Sequence, residues 1–432
     1  MPVALMSVAQ MPGGGPSAAA LGIAVILKAT QASLVSMPRS GPESIAVIGA
    51  GVAGCTFVAQ LRRLGHSGPI SLWETGRGPG GRASTRRFRH DAALRIDHGA
   101  PLLNITGETD PLLLRPLLAG GWLEPWPGVI AQLQGESTLK LGYSDALGLG
   151  QRYRGLAGMD HLGQGLLHLA GENVDAHYGT LVRHLSIEEG VWQLWGRDRE
   201  LLGQANWLVL SSTLLAHPRS RMIFGWDDVP LQQAAAPLAD LQLDHALTLI
   251  AGIRTEARSN LLVVLDAAAA GPWRALPFDL LHLDAAAQQR WGLQRITVQP
   301  LADGRCAVVA HSTKAFAADH LDVYGTHSAV ARMLQLPPDE GREDTVVAAL
   351  TTALEQVMSL WLPRLDLGQT ERQLMRWGAA FPLAPGLPSE LMFCPRSRVG
   401  FCGDFIAGVG FGRIEGALRS GEQLAHELSA FT

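Results

Sequence analysis

The strongest constraint on the fold is six residues long. Gly49-Ala50-Gly51-Val52-Ala53-Gly54 stands directly after a continuous apolar run, Ser44 to Ile48, and directly before a helical stretch. An unbroken apolar run ending in glycine is the pattern of a strand buried on both faces of a parallel sheet. The helix is predicted from Val52 to Leu64, with Val52, Cys55, Val58, Ala59 and Leu61 on its buried face and Gly65 as its stop. A second strand, Ile70 to Glu74, completes a β-α-β unit. In such a turn Gly49 bends the chain sharply, Gly51 lets the backbone approach a pyrophosphate, and Gly54 allows close helix packing. Val52 and Ala53 open the helix, whose N-terminus favours negative charge. Glu74, twenty residues beyond Gly54, is placed to accept hydrogen bonds from the ribose hydroxyls of an adenosine half.

A second glycine segment follows at once, Thr75-Gly76-Arg77-Gly78-Pro79-Gly80-Gly81-Arg82-Ala83-Ser84. A nicotinamide-dinucleotide domain has no need of it. An arm containing Gly80, Gly81 and Arg82 can wrap a pyrophosphate from the opposite side, offsetting phosphate charge with a guanidinium and backbone amides. Read without function, it is a flexible surface loop. The third motif lies near the C-terminus: Val399 to Cys402 as a strand, Gly403-Asp404, the glycine-rich Gly408 to Gly412, and then Arg413-Ile414-Glu415-Gly416-Ala417. Asp404 is placed to bond a ribitol hydroxyl. A final helix, Glu415 to Leu428, would aim the backbone donors of Glu415, Gly416 and Ala417 at a flavin pyrimidine edge, where negative charge accumulates on reduction.

The intervening chain is less specific. Gly158 to Ala170 reads as a helix and Val174 to Ser211 as a meander returning to the sheet. Between Pro218 and Pro385 strands are expected at Leu243 to Ile250, Leu261 to Leu265 and Arg305 to Ala310, and a helix at Thr345 to Trp361. The resulting division is an N-terminal extension over 1–43, a cofactor domain over 44–105, 153–217 and 390–432, and a substrate domain over 106–152 and 218–389. At 432 residues the chain is long enough for two cores.

A net charge of −4, with no basic stripe, gives no electrostatic reason to expect nucleic acid. The cysteines Cys55, Cys306, Cys394 and Cys402 lack zinc spacing and are expected to be reduced thiols in a cytoplasm-like compartment. Before Glu43 there is no acidic residue, which suits either an organellar presequence or a start at Met37. The apolar run Ala20 to Leu27 is too short to span a bilayer, so no stable membrane insertion is expected.

The G-G-R form of the second motif resembles the glutathione-reductase-like flavoproteins of the FAD-dependent amine oxidase superfamily. Asp97-His98-Gly99-Ala100, Tyr153 to Met159, and Arg376-Trp377 to Pro382 resemble segments of its renalase-like branch. The resemblance runs loosely from Ser44 to the C-terminus. It implies an α/β fold, with a glutathione-reductase-like FAD-binding Rossmann domain and a discontinuous α+β substrate domain. It also implies non-covalent FAD and an oxidase that uses dioxygen and acts on aberrant dihydronicotinamide isomers.

Two departures from the better-known amine oxidases matter. Arg413 stands where those enzymes usually have a cage tyrosine, and a cation there would repel a protonated amine and suit an anionic substrate, unless it is spent on the cofactor or a nearby carbonyl. Of the three lysines, Lys28, Lys140 and Lys314, none sits in the flavin-facing context of that group. Arg413 and Trp377 are the candidate catalytic residues, and no metal site is expected. Two rivals stay open at this level: oxidation of an amine or desaturation of a lipid by the same cofactor, and a flavin-binding escort protein without turnover.

Overall fold

In a computed structural model the described residues are 42–432, apart from 89, 143–148, 327, 329–330, 332–334, 338 and 363–364. The expectations for the N-terminal extension, including the presequence and the start at Met37, lie outside them.

The first six-stranded sheet has the spatial order Val174–Tyr178, Ile70–Glu74, Ile45–Ile48, Trp207–Leu210, Val399–Phe401, Phe393–Cys394. The first five strands are parallel neighbours and only the last pairs antiparallel. Ile45–Ile48 is thus central, flanked by Ile70–Glu74 and Trp207–Leu210, which explains its unbroken apolar sequence: Ile45, Ala46 and Val47 are buried. The helix Val52–Arg63 packs against the helix Asp160–Ala170 and the C-terminal helix Ile414–Phe431. Close approach of the C-terminal helix requires Gly421, where a Cβ would lie 2.6 Å from the Ala53 carbonyl oxygen. The predicted meander is present as the antiparallel strands His184–Glu188, Val191–Trp195 and Leu201–Ala205, leading into Trp207–Leu210.

A second sheet of seven strands has the order Glu371–Pro382, Thr255–Leu265, Cys306–Ser312, Leu293–Pro300, Leu280–Leu283, Ile130–Gln134, Thr138–Leu141. Its two faces differ. Leu261, Val263, Ile296, Val308 and Ala310 point to a core shared with Val346, Leu350 and Leu354 of the helix Glu340–Met358. On the opposite face Leu262, Ala307 and Val309 pack on Phe88, Leu94 and Ile96. Those three belong to the hairpin formed by Thr85–Arg87 and Arg95–Asp97, which grows directly out of the second glycine segment.

One expectation is corrected. Leu243 to Ile250 is not a strand but part of a helix, Leu241–Gly252. Leu243, Ala246, Leu247 and Ile250 are the buried positions, a spacing of three and four residues that turns one helical face to the core. Asp240 accepts from the Gln242 N–H at 3.1 Å and caps its start. The helix expected from Thr345 begins earlier, at Glu340, because Asp339 caps it by accepting from the Arg342 N–H. Among the described residues no helix is long and apolar enough to cross a membrane.

Candidate dinucleotide site

The three glycine motifs meet at the carboxyl ends of the parallel strands. Gly49 has φ +104°, a left-handed conformation, and a Cβ there would sit 2.4 Å from Ser211 Oγ at the end of the neighbouring strand. A Cβ on Gly54 would lie 2.2 Å from the Gly49 carbonyl oxygen, so a side chain is excluded by backbone packing. Gly51 differs: its φ is an ordinary −67° and a Cβ would meet nothing within 4 Å. Among the described residues, none apart from its chain neighbours comes within 4 Å of that Cβ position, which lies beside the helix N-terminus.

The second motif is pinned beside this opening. Gly80 N–H donates to the Ala50 carbonyl at 2.8 Å, Gly51 and Gly80 form a parallel bridge, and a Cβ on Gly81 would stand 3.0 Å from Gly51 Cα. Arg82 then reaches across to the third motif. It donates through Nη2 to Asp404 Oδ1 at 2.5 Å and through Nη1 to the Ala380 carbonyl at 2.9 Å. Asp404 is buried, and Gly403 N–H is held by Ser420 Oγ at 2.9 Å.

Glu74 and Asp404 therefore stand at the same edge of one sheet, separated by three inter-strand spacings, about 14 Å. Glu74 already accepts from Ala50 N–H at 2.9 Å and Gly76 N–H at 2.5 Å. Thr75 Oγ1 also donates to Oε1 at 3.2 Å, so Oε2, which accepts only from Ala50, is the oxygen that keeps a lone pair for a ribose hydroxyl.

Around Glu415 the side chain has a structural occupation. Its carboxylate is fully buried and accepts from Thr106 N–H and Oγ1, Gly107 N–H and Arg419. Burial works to raise its pKa, but the donors from Gly107, Thr106 and Arg419 outweigh that and hold it below the usual range. Gly416 N–H donates to the Gly410 carbonyl and Ala417 N–H to the Arg413 carbonyl, both at 3.2 Å. Arg413 is 3.1 Å from Glu415 Oε2 and donates to Thr106 Oγ1 at 2.7 Å, so its charge is matched by a carboxylate.

Trp377 lies on the long strand that ends at Pro382. Its indole N–H donates to the His98 carbonyl at 3.3 Å and its ring stacks on the His98 imidazole, 5.3 Å between centroids. His98 is buried, and burial first, then Arg86, pushes its pKa down to about 3. It is a neutral hydrogen-bonding group near pH 7, paired with Ser84 Oγ at 3.1 Å.

Arg219 was not visible to sequence reasoning. Burial pushes its guanidinium down to about 10, with Arg82 lowering it further and Asp404 raising it, and its Nε has neither solvent nor a partner. Its short flanking helix, Arg219–Phe224, carries no motif that would have marked it. A solvent-open cavity of about 680 Å³ lies beside it, lined by His217, Arg219, Arg221, Met222 and Trp226. No residue of the three motifs is among the described residues lining that cavity; Arg219, which lines it, is shifted by the charges of Arg82 and Asp404.

The four cysteines are free and buried, and among the described residues no group of His, Cys, Asp or Glu could hold a metal ion.

Residues 47–115 match the family model described as an NAD(P)-binding Rossmann-like domain. Comparison with curated proteins finds no match in sequence. The chain is similar in structure to a protein called a protoporphyrinogen oxidase from Exiguobacterium sp. 255-15, with TM-score 0.60 and 12% identity over 91% of this chain and 100% of that one. It is also similar to a redesigned putrescine oxidase, with TM-score 0.56 and 13% identity over 90% and 99% of the two chains. Cyclohexylamine oxidase from Brevibacterium oxydans IH-35A gives TM-score 0.60 and 12% identity over 90% and 99%. The chain carries a Rossmann-like dinucleotide-binding domain within a mixed α/β fold shared with these oxidases.

Proposed function

We propose that this chain is an FAD-dependent oxidoreductase of the amine oxidase superfamily, nearest its renalase-like branch. It takes a hydride from a small dihydronicotinamide-type substrate and uses dioxygen as acceptor. The observation that carries the reading is the Arg82–Asp404 ion pair beside the open face of Gly51, which joins all three motifs along the edge that also holds Glu74. FAD, bound non-covalently, supplies a two-electron acceptor that dioxygen reoxidises.

The chain's own residues do the rest. Gly51, Val52 and Ala53 present backbone N–H groups to the pyrophosphate, with Gly80, Gly81 and Arg82 closing on it from the other side. Glu74 holds the adenosine ribose and Asp404 the ribitol. The segment from Gly403 to Ala417, locked in place by Glu415, sets the start of the C-terminal helix so that its positive end faces the pyrimidine edge. Arg413, tied to Glu415 and Thr106, positions that turn. Trp377 and His98 form a neutral wall, and a dihydropyridine donor needs no acid or base from them.

The oxidase names of the structural neighbours support oxidoreductase chemistry, and a wall made of an indole and a neutral imidazole, neither of which takes up an amine proton at neutral pH, favours the dihydropyridine over an amine. Anaerobic mixing of the purified holoprotein with reduced nicotinamide isomers is expected to bleach the flavin absorbance, and with a panel of amines to leave it. Bleaching by amines alone would replace this reading with an amine oxidase. No bleaching by any reductant would leave a binding protein.

A further inference from the structure

The seven-stranded sheet carries a row of polar side chains across the face that turns toward the second glycine segment. Gln132, His282, Arg295, His311 and Asn260 are successive cross-strand partners, one per strand. They share the face with Leu262, Ala307 and Val309, the residues covered by the Thr85–Asp97 hairpin. His311 and Asn260, directly opposite each other, are essentially inaccessible at 2% and 1% exposure.

Their hydrogen bonding fixes what each can still offer. Arg295 Nη2 lies 3.3 Å from His311 Nδ1, and a guanidinium only donates, so Nδ1 accepts and the proton resides on Nε2. Burial, followed by the charges of Arg295, His98, Arg258 and His282, holds the His311 pKa well below its ordinary value, in keeping with a neutral ring. His311 Nε2 is then a buried N–H donor with no partner. Asn260 Nδ2 donates to the His98 carbonyl at 2.7 Å, which settles the amide orientation and leaves Oδ1 as a buried acceptor with no partner. A buried donor and a buried acceptor left open side by side, on β-carbons roughly 5 Å apart, are costly unless something meets both.

We propose that His311 and Asn260 form a recognition site for a primary carboxamide, the His311 Nε2–H donating to its carbonyl oxygen and Asn260 Oδ1 accepting from its NH2. A carboxylate offers no donor to Asn260 and sets its charge against that oxygen, so the pair discriminates amide from acid. The site adjoins the cofactor residues through covalent and hydrogen-bonded links. The His98 carbonyl receives both Asn260 and Trp377, His98 N–H bonds to Ser84, and Ala100 N–H bonds to the Arg82 carbonyl. The proposal rests on the dihydronicotinamide reading and deepens it by assigning the ring's carboxamide to this pair.

The test uses holoprotein with two dead-end ligands, nicotinamide and nicotinate, followed by perturbation of the flavin spectrum and by thermal shift. The same holoprotein is mixed anaerobically with the 1,2-, 1,4- and 1,6-dihydro isomers of N-methylnicotinamide or of the corresponding nicotinate. Nicotinamide is expected to bind at least tenfold more tightly than nicotinate, and the dihydronicotinamide to bleach faster by at least the same factor at low concentration. In His311→Phe and Asn260→Asp the preference is expected to collapse through KM with kcat little changed. Equal binding of the two ligands by the natural protein, a measurement that needs no variant, overturns the proposal, as does a preference that persists in both variants. If no isomer of either dihydropyridine bleaches the flavin, the functional reading fails. The ligand titration still decides the site: a nicotinamide preference lost in the variants keeps the carboxamide site, and no preference removes it.

Discussion

Gly51 and Gly54 stand three residues apart in the same turn, yet alanine at the two positions should do opposite things. At Gly54 an added Cβ would lie 2.2 Å from a backbone oxygen and 3.0 Å from Ser211 Oγ. Relief requires moving the strand-to-helix turn, which by analogy with overpacked cores costs about 1–3 kcal/mol. At Gly51 the new methyl meets nothing within 4 Å and φ is already compatible with alanine. Alanine at a helix N-cap costs about 0.5–1 kcal/mol relative to glycine, at or below the low end of the cost at Gly54. The methyl, however, occupies the space in front of the first helical N–H groups. A phosphate held off by one methyl forfeits at least one charge-assisted hydrogen bond, about 1.5–3 kcal/mol, or roughly ten- to a hundredfold in affinity. The assay is paired: denaturation of the flavin-stripped protein for stability, and fluorescence quenching on FAD titration for affinity. Gly51→Ala should lower stability by no more than about 1 kcal/mol and weaken FAD binding at least tenfold, while Gly54→Ala lowers the unfolding midpoint further. If Gly51→Ala binds FAD as the natural protein does, the pyrophosphate does not lie against this turn.

Other outcomes follow from the same structure. Asp97, half-buried and accepting from Thr85 and Met159, has its pKa pushed up to about 6 by desolvation. Its folded value exceeds its unfolded one, so its contribution favours folding most below pH 4 and is lost as pH rises through 6. The loss amounts to about 3 kcal/mol at neutral pH. Asp97→Asn should therefore flatten the stability profile between pH 4 and 7, and an unchanged slope in denaturant titrations counts against it. Removing the buried Glu415 carboxylate, as in Glu415→Ala, strands Arg413 and Arg419 and the Thr106–Gly107 amides. A loss of about 3–5 kcal/mol is expected by chemical denaturation, with a loss below 1 kcal/mol against it. Arg219→Met should weaken FAD retention in a salt-sensitive comparison with the natural protein if this guanidinium lies within reach of the pyrophosphate. Equal retention at all salt concentrations removes it from the site.

The cofactor half was legible because its constraints are local. Strand, glycine turn, helix and Glu74 follow one another within 30 residues, and the observed bounds Val52–Arg63 and Ile70–Glu74 match the reading to within a residue. The third motif was legible for the same reason, with Val399–Phe401 and Ile414–Phe431 in their expected places. The chain from 218 to 389 was not. Leu241–Gly252 is so apolar that a short window looks like a strand, and only the spacing of its buried positions, seen against the core, reveals the helix. The sequence marks Glu415 only as part of a glycine-rich turn, and nothing in it says that the carboxylate is consumed by Thr106 and Gly107, some 309 residues away. The Asn260–His311 pair depends on strand register between segments 51 residues apart, and Arg219 on the approach of its loop to Arg82. Register and loop approach are tertiary facts with no local signature.

The most direct test is a crystal structure of the protein as purified, with its chromophore released in parallel by heat and identified. The account predicts one extended FAD per chain, its adenosine ribose on Glu74, its pyrophosphate between Gly51 and Arg82, and its ribitol on Asp404. A colourless protein that does not take up added FAD, or a flavin seated away from this edge of the sheet, would contradict it.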